Sequence, residues 1–365
     1  MVRRVSTSRF AAVSVAFALV AASSMAAAQS LVAFRDGDGQ WRWIEAGGTQ
    51  AFARKAGDAD ETVGGMFTVT YEDVRLGTGV GFDDPDVGAA RRDTLHEVLL
   101  YLSSVLEVPG TADLLVRASQ TDGRGALASA GPYLRPSLGF QGGFVFEHLT
   151  TGVDPLSDEL DGRVSVDFGY PWSSDAGGPS SQELDLYSTL LHEVTHALGI
   201  LSVVDSDGAS ALGNQGGFGL FTIFDSMLVR GSTREPLYLE DGEINASAED
   251  VTSGDVLFAG DRAAAAYGSS PPVFAPNPFL RGSRIGHWSF TTGAEVVMLA
   301  AVDRGEERRT FADWELQALA DLGYDLVEDG FPTDAGVPDP PIDPPPVPDP
   351  PIDPPPVPDP PIDPP

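Results

Sequence analysis

Apolar positions between Ala89 and Leu106 recur at helical spacing. Leu95, Val98, Leu99, Leu102 and Val105 fall on one face, which predicts an amphipathic helix. On either side the period changes. Phe67–Glu72 alternates apolar and polar residues, and Leu114–Ala118, Gly143–Phe146 and Arg163–Phe168 read as further strands. Upstream, Leu31–Arg35 and Trp41–Glu45 flank Asp36-Gly37-Asp38-Gly39, the pattern of a small hairpin. The Gly- and Asp-rich stretch from Gly47 to Gly65 reads as a flexible link, or the end of a short pro-segment. Ser180 and Glu183 stand at capping-box spacing, and Leu184, Leu191, Val194 and Leu198 continue a helix to Gly199. Beyond Gly199 the chain is rich in Gly and Pro until Phe311–Leu322, a final helix closed by Gly323. Strands alternating with helices predict an α+β (mixed α/β) fold: an N-terminal lobe with a twisted mixed sheet and two long helices, then an irregular lobe with a final helix.

The two ends of the chain follow different rules. Arg3, Arg4 and Arg9, the apolar run Phe10–Ala22 and Ala26-Ala27-Ala28 before Gln29 have the form of a secretory signal peptide over residues 1–28. That run is too short to span a bilayer comfortably, and no later segment reaches spanning length. The expectation is a protein outside the cytoplasm, in a periplasm, at a cell surface or in the medium. At the other end, the block from Val337 to Pro346 repeats at Val347 and again, one residue short, at Val357. Proline at this density gives an extended polyproline II spacer of about 3.1 Å per residue, which cannot build a core. The organisation expected is therefore a leader (1–28), a hairpin and link (29–66), the domain that carries the chemistry (67–330) and a Pro/Asp tail (331–365).

Composition narrows the partners. The formal net charge is -32 and Lys55 is the single lysine, a balance that argues against nucleic acid or an anionic membrane. Cysteine is absent, which rules out disulfides and thiolate ligands. Any zinc must be held by histidine or carboxylate.

The stretch His192-Glu193-Val194-Thr195-His196-Ala197-Leu198-Gly199-Ile200 supplies that chemistry. Histidines four apart on one helix lie nearly above each other, so both imidazoles can reach one ion. Glu193, directly after the first, stands where it can take a proton from water at that ion. This H-E-x-x-H order is that of zinc peptidases; the plainer reading is an amphipathic helix that happens to carry two histidines. A catalytic zinc takes three protein ligands. The remaining histidines offer His96, His148 and His287. His96 has Leu100 where a partner histidine would stand, and His148 reads as lying in a loop just after a strand. Asp205 rivals His287 as third ligand. Asp205-Ser206-Asp207-Gly208 has the residues of an ordinary turn, with Ca2+ binding as the alternative.

The chain resembles metzincin-type zinc peptidases. His192–Gly199 matches their H-E-x-x-H-x-x-G core, but Ser202 stands where the short form has a third His or Asp. The leishmanolysin-like branch and its bacterial secreted relatives carry the third histidine far downstream. His287-Trp288, then Glu295-Val296-Val297-Met298, then Leu316–Tyr324 follow a similar order. Phe258-Ala259-Gly260, Ala263–Ala266 and Phe274-Ala275-Pro276 add to the likeness, which covers roughly Phe67 to Leu326. The resemblance implies one catalytic Zn2+ in a cleft between two lobes, bound by His192, His196 and His287, with Met298 in a turn beneath. It also implies Glu193 as the base that helps zinc-bound water attack a peptide bond, and a protein or peptide substrate laid along an exposed strand edge. Without cysteine there is no cysteine-based pro-segment switch. The alternative is a non-catalytic surface or adhesion module of the same fold, stabilised by zinc. Retention of Glu193 argues against it, since a purely structural site needs no base.

Overall fold

The computed structural model describes residues 60–327, apart from 121, 158, 281, 283 and 284, together with 31–35, 41–45 and 48–51. The leader over 1–28 and the Pro/Asp tail over 331–365 lie outside the described residues. Upstream, Leu31–Arg35 (β1) and Trp41–Glu45 (β2) form the antiparallel hairpin that their alternation predicts, with Leu31 opposite Glu45 and Arg35 opposite Trp41. Gly48–Ala51 (β3) adds a strand to it. The segment expected as a link up to Gly65 also holds Asp60–Val63 (β4), which pairs antiparallel with Phe67–Tyr71 (β5). Gly64 and Gly65 make the turn between them at φ +61° and +72°, a region glycine enters without steric cost.

Gly88–Val105 (α1) follows as predicted, its buried residues including Leu95, Val98, Leu99, Leu102 and Val105. Ala112–Gln120 (β6), Ala128–Pro132 (β7), Gly143–Thr151 (α2) and Gly162–Asp167 (β8) complete the first lobe. The sheet runs β4-β5-β6-β8-β7. Its centre is parallel, with Val116 opposite Val164, while β7 returns antiparallel at the edge, Ala130 opposite Val164. A mixed α+β architecture is thus present.

Two expectations are corrected here. Gly143–Phe146 is the first turn of α2, not a strand. Its buried residues Phe144, Val145, His148 and Leu149 follow helical spacing, which a four-residue window hides. Ser180 and Glu183 do bond to each other, through Ser180 N and Oγ to the Glu183 carboxylate. The chain then stays extended through Leu184–Asp185, paired with Trp172–Ser173. The helix that follows is Leu186–Leu198 (α3), capped by Asp185, whose carboxylate accepts from Ser188 N at 3.1 Å. Asp185 wins as cap because its other oxygen is fixed by Arg309 Nη2 at 2.7 Å.

α3 packs against α1 and against the edge strand β7. Leu190, Leu191, Val194 and Leu198 of α3 are fully buried, as are Leu95 and Leu99 of α1 and Val69, Leu114 and Val164 of the sheet. Each such side chain contributes about 2 kcal/mol by leaving water, so the helix that carries the motif is held rigidly. The chain after Gly199 is less regular, as expected. Leu228–Arg230 pairs with Val256–Phe258, and Asp261–Tyr267 (α4) packs on the final helix Asp313–Leu322 (α5). Gly323 closes α5 at φ +115°. No helix among the described residues is long and apolar enough to cross a membrane.

Candidate metal centre

Helical geometry sets the first two imidazoles. His192 and His196 stand one turn apart on α3, their ring centroids separated by 4.7 Å. Gly199 then ends the helix in the left-handed region at φ +117°. This sharp exit brings the carbonyl of Ile200 back to His196, whose Nδ1 lies 2.6 Å from it. Only glycine adopts that backbone without strain, so Gly199→Ala should cost about 1–2 kcal/mol. Urea unfolding monitored by circular dichroism would measure it.

His287 arrives from the opposite side. Its carbonyl accepts from Phe274 N at 2.8 Å. The next residue, Trp288, is fully buried with its ring between those of Phe224, Phe258 and Trp314, at centroid distances of 5.0 to 5.7 Å. An aromatic anchor immediately after His287 fixes where its imidazole points. His287 Nε2 lies 3.2 Å from His196 Nε2 and 3.3 Å from His192 Nε2.

Hydrogen bonding alone does not explain this convergence. His192 Nδ1 sits 2.9 Å from the Val297 carbonyl, and His196 Nδ1 on that of Ile200. A carbonyl accepts only, so each Nδ1 carries the proton and each Nε2 presents a lone pair. His287 has one ring proton at most to give, against two lone pairs. Four-coordinate zinc with nitrogen at about 2.0–2.1 Å places its ligand atoms about 3.3 Å apart, and the observed separations match. Burial, reinforced by the neighbouring His287, depresses the His192 imidazole to about 3, and burial with both neighbours holds His196 well below the ordinary value. Both are therefore neutral, the form that binds a metal. The donor set fits the ion that the motif implies.

Glu193 is 1% exposed and its Oε2 has no hydrogen-bond partner. Burial pushes its carboxyl well above the ordinary range. An orphaned carboxylate oxygen in a core is costly, and it is accounted for when a water or a cation shares the space. Glu193 and His192 line one wall of a cleft that opens to solvent. The rest of the wall is mostly apolar, with Leu127, Val297, Leu299 and Val302.

Met298 is fully buried in the turn that follows. The direct bond from this turn to the histidines comes from the Val297 carbonyl. Glu315 of α5 holds the turn: its carboxylate accepts from Val297 N at 3.1 Å, Met298 N at 3.0 Å and Ala312 N at 3.1 Å. The Met298 carbonyl in turn accepts from Trp288 N at 2.9 Å. One buried carboxylate thus braces the backbone beside both His192 and His287. Sequence reasoning missed Glu315, and the only signal was an acid in the first turn of a helix otherwise buried.

The other histidines lie elsewhere. His148 is inside α2, not in a loop, and its Nδ1 is 2.7 Å from Asp161 Oδ2 and 3.8 Å from Asp113 Oδ2. These three buried groups form a second cluster. His96 lies on α1. Asp205 joins neither cluster. Its Oδ1 accepts from Ser206 N, and Asp207 Oδ1 from Ala209 N, the bonds of an ordinary turn. Among the described residues the motif histidines, Glu193 and His287 are thus brought together, and Asp205, His96 and His148 are not. Comparison with known protein families, with curated proteins and with solved structures finds no match for this chain, so the arrangement is to be read from its own geometry.

Proposed function

We propose that this protein is a zinc-dependent endopeptidase of metzincin type that works outside the cytoplasm. The observation that carries the reading is the meeting of three imidazole Nε2 atoms with the unpartnered, buried Oε2 of Glu193 at the wall of a cleft. His192, His196 and His287 would hold the ion. A divalent metal there would supply positive charge that polarises a carbonyl, makes water acidic and favours the ionised form of the Glu193 carboxyl.

The remaining work falls to the protein. Glu193 Oε2 takes a proton from the attacking water and delivers it to the leaving amine nitrogen, the role of a general base that then acts as acid. The Val297 and Ile200 carbonyls keep Nδ1 protonated on His192 and His196, so that Nε2 stays available. Leu127 lines the cleft and leads directly into the edge strand β7, to which an extended peptide adds as a further strand. β1 lies against β7. The N-terminal hairpin and a substrate would compete for this edge, in keeping with a pro-segment role for the hairpin β1–β2.

Digestion of casein by the purified protein, with and without a chelator, tests the reading. Hydrolysis that stops with chelator and returns with zinc supports it, and chelator-insensitive or absent hydrolysis refutes it. His287→Ala should lower zinc content well below one ion per chain, measured by atomic emission after dialysis. Unchanged content would remove His287 from the ligand set.

A further inference from the structure

The cleft beside Glu193 has one cationic side chain in its lining, Arg308. A guanidinium in a wall that is largely apolar, with Leu127, Val297, Leu299 and Val302, is costly to desolvate, and Arg308 is only 8% exposed. It is held rigidly. Its Nε donates to the Ala294 carbonyl at 2.9 Å, Nη1 to the Ala301 carbonyl at 2.7 Å and Nη2 to Glu306 Oε2 at 2.8 Å. Its main-chain N donates to Ser188 Oγ at 2.6 Å, on the helix that carries the motif. A guanidinium has five N–H donors, so these three bonds leave two uncommitted. Its anionic partner Glu306 has a side chain 45% exposed, in water rather than in the cleft lining. Thr189 also lines the cleft, and its buried Oγ1 has no hydrogen-bond partner.

We propose that this cleft selects substrates with an acidic side chain, glutamate or aspartate, at one position adjoining the cleaved bond. This rests on the peptidase reading above. The methylenes of such a residue lie along Leu127, Val297 and Leu299. Its carboxylate takes the two uncommitted Arg308 donors in a charge-assisted pair, which is strong in a desolvated pocket, and Thr189 Oγ1 gives a third contact. The preference is confined to one position, because a chain of net charge -32 repels acidic peptides at longer range. Salt at about 0.15 M screens that repulsion beyond about 8 Å and leaves the contact in the pocket intact.

The test uses the zinc-loaded full-length protein on a defined peptide library, with cleavage sites read by mass spectrometry, and matched peptides differing only by Glu or Gln. Expected is enrichment of Asp and Glu at a single position and a kcat/KM ratio of about tenfold or more for Glu over Gln, the scale of a hydrogen bond to a charged group. Arg308→Met should abolish the ratio. Glu306→Gln, which removes the competing carboxylate and leaves the cleft lining in place, should raise it. The same Glu/Gln pair should differ about tenfold in affinity for the Glu193→Ala protein, whose turnover is slow enough to measure binding. Cleavage without acidic enrichment overturns this inference and leaves the peptidase reading standing. No cleavage of any library member overturns both. If Arg308→Met fails to fold, a ratio unmoved by Glu306→Gln overturns the role of Arg308.

Discussion

Glu193→Ala is expected to lower peptide hydrolysis by about 10²–10⁴-fold, the contribution of a positioned general base, while zinc binding stays at one ion per chain. The separation follows from the geometry. The three Nε2 atoms and the carbonyls that orient them do not depend on the Glu193 side chain, whose Oε2 bonds to nothing in the protein. Removing it should even relieve the burial of an unsatisfied carboxyl, so the melting temperature should hold or rise. Atomic emission for zinc, a casein assay and a thermal melt on the same sample check the three parts. Full turnover in the variant would rule out Glu193 as the proton carrier. Loss of zinc would show that it belongs to the ligand set.

Glu315→Gln should produce the second large effect, at a distance from the chemistry. Gln keeps one acceptor oxygen and turns an N–H₂ toward amides that need an acceptor. At least one of the Val297, Met298 and Ala312 N–H groups then loses its partner, at about 1–3 kcal/mol for each buried donor left unsatisfied. Because Val297 also orients His192, zinc affinity should fall by about 10–100-fold, as when a metal ligand loses its supporting hydrogen bonds. Competition with a zinc-binding dye measures it, and affinity equal to wild type would confine Glu315 to packing. Titration gives an independent readout. Burial raises the Glu315 carboxyl from 4.5 to about 7, against the pull of its three amide partners. Between those values the folded state holds a proton that the unfolded chain has lost. The stabilisation is complete below about 4.5 and disappears as pH rises through about 7. Wild-type stability should therefore fall relative to Glu315→Gln across that window, and parallel pH profiles of urea unfolding would contradict it.

Local signals in the sequence located α1, the hairpin β1–β2, β5, β8 and α5 to within a residue or two, apart from β6, whose observed ends reach Ala112 and Gln120. Their apolar spacing is long enough to define a period. The pair His192 and His196 was legible because both ligands and Glu193 sit on one helix. What was hidden depends on contacts between distant segments. Gly143, which opens α2, lies so close to Pro132 and Leu134 that a Cβ there would come within 2.6 to 3.0 Å of them. The start of α3 was decided by Arg309, far along the chain, fixing Asp185. Glu315 and Arg308 carry no local pattern that sets them apart from surface charges, since only the fold shows them buried. Resemblance, not spacing, singled out His287 from Asp205.

His287 lies 91 positions beyond His196, and the intervening chain has few regular elements of its own. An ion held from both ends of that stretch would close it into a ring. Cross-linking a ring of this size removes about 4–5 kcal/mol of freedom from the unfolded chain in the loop-entropy picture. Metal uptake would then be a folding event as well as the arming of a catalyst. Protein stripped of its ion should melt earlier and be nicked first between Gly208 and Gly282, well away from the sheet and α1, which are packed without it.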